Sequence, residues 1–151
     1  MPLPGKKFDE SLIGFYEESL MPHADQAYRL AFALTLSLDG AVACVRSTFR
    51  SLAANLEQAA RQGEGAAAAL VVSECWKAYH ELKNQKFAGG QSAVTRVLGP
   101  LSIDARAAVC VVDICGLSPT EAASALGLNE KELRIRLAEA RRALMATTLE
   151  L

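Results

Sequence analysis

The stretch GLSPTEAASALGLNEKELRIRLAEARRAL, residues 116–144, leaves the backbone few choices. Ser118, Pro119 and Glu121 fall at the N-cap, N1 and N3 positions of a helix, a capping box in which each side chain satisfies an amide that the helix leaves free. Gly127 follows as a residue able to end that helix in the left-handed region. Asn129 then caps a second helix whose first turn carries Glu130 and Glu132, where the helix dipole favours negative charge. Helix, tight turn, helix is the layout that sets a recognition helix in the major groove of DNA.

Helical periodicity extends over nearly all of the chain, and strand alternation is almost nowhere found. A first helix is expected over residues 8–21, with Pro22 at the first position of the next. That second helix is apolar on more than one side (Ala27, Leu30, Ala31, Phe32, Leu34, Leu36) and so belongs at the centre. Asp39 is the expected cap of a third helix, with Val42, Val45, Phe49, Leu52 and Leu56 as one long buried stripe. Two glycines close together in RQGEG, residues 61–65, break it. A fourth helix follows, with Leu70, Cys75, Trp76, Tyr79 and Leu82 on its apolar face. Gly89 and Gly90 open the best linker in the chain, and LGP at 98–100 is a further break. Beyond it, Ser102 or Asp104 starts a helix with Ile103, Ala107, Cys110, Val111 and Ile114 inward, which Gly116 ends. The expectation is an all-α fold of two small helical domains, 1–86 and 101–151, joined by a linker at 87–100.

The same residues argue against several function classes. No stretch approaches the ~20 apolar residues of a membrane span, and the N-terminus lacks the apolar core of a signal peptide, so a cytoplasmic protein with no membrane partner is expected. Cys44, Cys75, Cys110 and Cys115 make no Cys-x-x-Cys pair and read as small buried hydrophobes; Cys110 and Cys115, five apart, are poorly placed to share a regular helix face. His23 and His80 have no partner at metal-ligand spacing, and His80-Glu81 is not completed by a second histidine. No glycine loop has the context of a phosphate cradle. An enzyme is not expected, nor a cofactor, a metal or a small-molecule substrate.

In the last helix Leu133, Leu137, Ala140 and Leu144 form an inner stripe, while Lys131, Arg134, Ile135, Ala138 and Arg142 face outward as candidate DNA contacts. Glu132 and Glu139 flank that face. Residues 97–151 hold six basic and seven acidic residues, a net of −1, matching the −1 of the whole chain. DNA affinity comes largely from neutralising phosphates, so this module is electrostatically weak as an independent DNA binder.

The segment from Leu101 to Leu144 resembles region 4 of bacterial sigma factors of the extracytoplasmic-function group. The matching positions are Leu101, Arg106, Gly116, Leu117, Ser118, Glu121, Ala123, Leu126, Gly127, Arg136, Leu137, Ala140, Arg141 and Leu144. Asp39, Ala41, Val45, Thr48 and Phe49 are similar to region 2 of the same family. The resemblance implies a transcription-initiation role, in which the first domain grips the RNA polymerase core and the −10 element and the second reads the −35 element of promoter DNA. It places polymerase or partner contacts at Ala43, Arg46, Ser47 and Arg50.

Departures from the family pattern fall on contact positions. Val42 and Ala43 stand where the family has Glu-Asp, and Arg46 and Ser47 where it has Gln-Glu. Residues 58–68 hold no aromatic side chain to stack on a flipped base. Cys75 and Trp76 align with an Arg-Asn pair, and Glu132, Ile135 and Glu139 with Thr, Ser and Arg. The alternative is therefore a sigma look-alike that binds an anti-sigma factor or another protein without reading DNA. Look-alikes of that kind occur in stress-response regulators, fused to a receiver domain that is not expected in this chain. Ile135 and Ala138 on an outward helix face suit a protein groove.

Overall fold

In the computed structural model, which describes residues 10–87, 89 and 92–149, every regular element is helical. The expected start of the first helix at Phe8, the outer limits of the two domains and Gly90 of the glycine pair lie outside the described residues. Helix α1 spans Glu10–Phe15 and runs on through a wide π turn, Tyr16–Leu20, and a 3-10 turn, Met21–His23, that holds Pro22. Then come α2 (Ala24–Thr35), α3 (Leu38–Ala54), α4 (Leu56–Gln62) and α5 (Ala67–Leu82). Gly63, at φ 85° and ψ 167°, supplies the break after α4 that the two glycines predict. The linker stretch contains a short helix, α6 (Ala93–Leu98), capped by Ser92. Helix α7 (Ile103–Val109) continues as a π turn, Cys110–Ile114, and α8 (Pro119–Leu126) and α9 (Glu130–Leu149) complete the order.

Helix α2 is the hub. It buries Ala27, Leu30, Ala31, Ala33 and Leu34, and it meets α3, α5 and α7 together. Three of those five are alanines, which lets neighbouring backbones come close on several sides. Helix α5 turns Ala67, Val71, Val72, Cys75 and Ala78 to the core, so the expected face of Leu70, Trp76, Tyr79 and Leu82 is its half-buried flank.

On α3 the buried residues are Gly40, Ala41, Cys44, Thr48, Phe49 and Leu52, and Val42 is 45% exposed. The expected stripe is thus corrected at its start, where Ala41 and Cys44 lie inside in place of Val42 and Val45, while Phe49, Leu52 and Leu56 are buried as expected. The inner face uses small residues because α3 approaches tightly: a Cβ on Gly40 would lie 2.7 Å from Thr35 Cβ. The cap is corrected as well. Ser37, not Asp39, receives the free amide, with Gly40 N donating to Ser37 Oγ at 3.1 Å.

Ile114, expected inward, is 50% exposed, and Cys115 is buried in its place. The π turn explains the exchange. Cys115 N donates to Cys110 O at 2.8 Å across five residues, and the extra residue in that turn rotates everything after it.

One buried core cluster runs through both halves of the chain, from Leu20 to Ala140. Helix α7 and its π turn lie against α2, and α8 lies against α5. At this seam Arg106 reaches from α7 to the C-terminal end of α2, its Nη1 donating to Ala33 O at 3.3 Å and Leu34 O at 3.1 Å. Its Nε donates to Leu101 O at 3.2 Å. A cation is well placed there, where unpaired carbonyls give a helix end its negative charge.

Candidate partner interface

Helix α9 owes its position to its first turn. Glu132 N donates to Asn129 Oδ1 at 2.8 Å, and Asn129 Nδ2 donates back to Glu132 Oε1 at 2.6 Å. Thr120 Oγ1 donates to Glu130 Oε1 at 2.6 Å, which ties the start of α9 to α8. Further along, Arg141 forms a two-point clamp on Asp113 of the π turn, at 3.0 and 2.6 Å. That clamp holds the Asp113 carboxyl below the usual carboxylate range. With Leu133, Leu137 and Ala140 buried beneath it, the rotation of the helix is fixed.

The outward face carries the five residues that the sequence singles out: Lys131, Arg134, Ile135, Ala138 and Arg142 line one shallow depression. Its centre is apolar, and Ile135 is 53% exposed. Arg134 is already engaged, 3.5 Å from Glu130, and Arg136 is 3.2 Å from Glu139. Lys131 and Arg142 are then the unpaired cations of the face among the described residues. Two cations around an isoleucine make a mixed surface, with little of the charge that phosphate binding draws on.

The residues expected to grip the polymerase or another partner lie elsewhere. Ala43, Arg46, Ser47 and Arg50 share one side of α3, with the arginines exposed and Ala43 and Ser47 half-buried. Helix α3 packs on α2 and α5, whereas α9 packs on α7 and α8, so the two expected sets are not joined into one site. Beside the α3 set lies an apolar pair that the sequence reading misses, Leu38 at 64% and Val42 at 45% exposure, one turn apart. Their i, i+4 spacing is visible in the sequence, but Val42 also fits the spacing of the expected buried stripe.

The seam residues were equally hidden. Arg106 is the one cation in SIDARAAVCVV and has alanines on both sides, which is the signal that could have marked it as an inward-reaching cation. Gln26 Nε2 donates to Cys115 O at 2.9 Å, and Cys115 Sγ lies 3.6 Å from Gln26 O, a reciprocal contact between the halves. Nothing local in the sequence announces that pair.

On α5, Trp76 stacks on Tyr79 with centroids 6.2 Å apart and meets His80 edge-on at 4.3 Å. Burial, with Lys83 nearby, holds the His80 imidazole below its ordinary pKa. Among the described residues no group of His, Cys, Asp or Glu is arranged to hold a metal ion, and no helix is long and apolar enough to cross a membrane.

No protein-family model matches the chain, and no curated protein matches it by sequence. Its fold is similar to that of the anti-anti-sigma factor PhyR of Bartonella quintana, solved in complex with the anti-sigma factor NepR. The likeness has a TM-score of 0.65 at 18% identity and covers 87% of this chain and 49% of that one. The chain thus spans about half the length of the PhyR chain it matches. At that identity the likeness speaks for the fold alone. It also corrects the expectation of a sigma factor of the extracytoplasmic-function group, because the structural neighbour is an anti-anti-sigma factor. The matching positions have a structural explanation: Ser118 and Gly127 form caps, Arg106 joins the halves, and Leu126, Leu137 and Ala140 are buried. Such residues preserve a shape whether or not a promoter is read.

Proposed function

We propose that this chain is a sigma-shaped regulator that binds an anti-sigma factor through protein–protein contacts and does not depend on reading promoter DNA. The observation that carries the reading is the outward face of α9. Between Lys131 and Arg142, where a DNA reader needs further cations, this face presents a half-exposed Ile135 and an exposed Ala138, with Arg134 tied to Glu130. The net charge of −1 points the same way. The shared fold of PhyR, a protein crystallised with an anti-sigma factor, supports the choice of partner class. Amphipathic helices laid into grooves between helices are a common mode for such recognition. Leu38 and Val42 on α3 offer a second apolar contact.

The test uses the full chain and a purified anti-sigma factor, with binding measured by calorimetry over a range of salt. Saturable binding that changes little with salt is expected, and Ile135→Asp should weaken it at least tenfold while Arg134→Ala changes it little. Fluorescence anisotropy with promoter duplexes is the counter-measurement. Tight, sequence-specific duplex binding, with a log–log salt slope of about −0.9 for each phosphate contact, would overturn the reading.

A further inference from the structure

In a regular helix, residues five apart point about 140° away from each other. Cys110 and Cys115 escape that rule because the π turn Cys110–Ile114 takes up one residue, and Cys115 N bonds to Cys110 O at 2.8 Å. The turn sets the two side chains on neighbouring faces, close enough for each thiol to shift the other's pKa. Both are free. The pair lies on the seam between the halves, since Cys115 Sγ is 3.6 Å from Gln26 O and Gln26 Nε2 returns a 2.9 Å bond to Cys115 O. His23 Nδ1, 2.6 Å from Gln26 Oε1, holds that amide in place.

From this geometry we infer that Cys110 and Cys115 form an oxidisable dithiol, a modification site for hydroperoxides whose closure loosens the seam at Gln26. Only the thiolate is a good nucleophile. Cys115, 6% exposed and flanked by exposed Ile114 and Gly116, is the attacking sulfur, and Cys110, 1% exposed, is the resolving one. The direction of the shifts agrees, with the interaction with Cys110 drawing the Cys115 thiol down. The Cys115 thiolate attacks the O–O bond, giving a sulfenic acid and releasing the alcohol, or water when the oxidant is hydrogen peroxide. The Cys110 sulfur then displaces hydroxide from the sulfenic sulfur, the S–S bond forms, and the hydroxide leaves as water with the Cys110 proton. Two thiols are oxidised to one disulfide and one hydroperoxide is reduced.

Access comes from position. Cys115 ends the π turn between Ile114, 50% exposed, and exposed Gly116, at φ 78°, so fraying of one helix end uncovers it. Cys44 and Cys75 serve as internal contrasts. Both lie inside long helices at 0% exposure, against 6% for Cys115 at the end of its turn, and burial pushes them up in pKa, Cys75 to about 12. The oxidised Cys115 has no S–H left to offer Gln26 O, and an S–S bond redirects its side chain toward Cys110.

The experiment treats the intact, reduced chain with hydrogen peroxide under native conditions, then alkylates the remaining thiols and maps them by mass spectrometry. The tryptic peptide 107–131 holds Cys110 and Cys115 and no other cysteine. It should lose two hydrogens and both alkylation sites, and dithiothreitol should restore them. In Cys110→Ser, dimedone should trap a sulfenic acid at Cys115. Amide exchange at residues 24–28 should accelerate on oxidation. Equal loss of thiols at Cys44 and Cys75, or a pair that resists peroxide until urea unfolds the chain, would overturn the site. A closed disulfide with unchanged exchange at 24–28 would overturn its effect on the seam. None of these readouts uses an anti-sigma factor, so the results stand apart from the proposed function.

Discussion

The turn between α8 and α9 and the turn between α2 and α3 each pass through one left-handed residue, and they support it by different means. The first passes through Gly127 at φ 70°, then caps α9 with Asn129, so each special position is filled by the residue type that suits it. The second passes through Leu36 at φ 54°, a conformation that costs a side-chain-bearing residue about 1–2 kcal/mol. Its support comes from around it. Leu36 N donates to Phe32 O at 2.8 Å, Thr35 Oγ1 donates to Ala31 O at 2.8 Å, and Arg106 satisfies Ala33 O and Leu34 O from another helix. The first turn is specified where it stands, whereas the second is imposed by the packing of the seam. The comparison predicts that the α2–α3 turn is sensitive to changes remote from it and the α8–α9 turn is not.

The largest effect should come from Arg106→Ala. It removes a half-buried guanidinium that serves three carbonyls, at Leu101, Ala33 and Leu34. Charge-assisted bonds contribute about 1.5–3 kcal/mol each and do not add fully, so a loss of about 3 kcal/mol is expected in urea denaturation. Arg106→Lys should recover only part, because an ammonium cannot reach the same fork of acceptors. A cost under about 0.5 kcal/mol, the range of ordinary surface changes, would show that the seam does not hold the α2–α3 turn.

Gly40→Ala comes next. Its new Cβ would meet Thr35 Cβ at 2.7 Å and Phe87 Cδ2 at 3.1 Å. Alanine gains about 1 kcal/mol of helix propensity over glycine, and overpacking costs about 1–3 kcal/mol, so a net loss of up to about 2 kcal/mol is expected, read as a lower thermal midpoint. An unchanged midpoint would mean that α3 has room to shift and that the turn is looser than its contacts imply.

Gly127→Ala probes the self-sufficient turn. It should cost about 1 kcal/mol, the penalty for a Cβ in the left-handed region, with hydrogen exchange changing only near α8 and α9. A change spreading into α2 would erase the distinction between the two turns.

The same contrast explains what the sequence disclosed. The capping box at Ser118 and Glu121, the glycine end at Gly127 and the central role of α2 were legible because each rests on local spacing. The outward face of α9 was legible for the same reason, since Leu133, Leu137 and Ala140 fix its opposite side. The exposure of Val42 was not, because alanine and cysteine on the true inner face of α3 are weak hydrophobic markers beside a valine. Nor was the placing of Ile114 and Cys115, because a π turn changes the period in mid-helix and five-residue hydrogen bonds leave no compositional trace. Resemblance gave the shape and misassigned the family role, since the shared positions are those that hold the scaffold together.

The smallest effect is expected at Asp39, and it is the sharpest on where α3 begins. A capping aspartate replaced by alanine costs about 0.5–2 kcal/mol, the effect that the sequence reading assigns to this position. In the structure Ser37 holds the capping bond from Gly40 N, and Asp39 is an exposed residue of the first turn. Only its attraction to the helix dipole remains, about 0.3 kcal/mol at such exposure. That attraction is screened by ions, so Asp39→Ala should become neutral at ~1 M salt, where the Debye length is about 3 Å. Ser37→Ala should cost about 1 kcal/mol at any salt, because it leaves a buried amide without its acceptor. Paired urea titrations of the two variants at low and high salt separate these outcomes. If Asp39→Ala loses as much as Ser37→Ala and keeps that loss in salt, the cap lies two residues later and α3 begins where the sequence alone would start it.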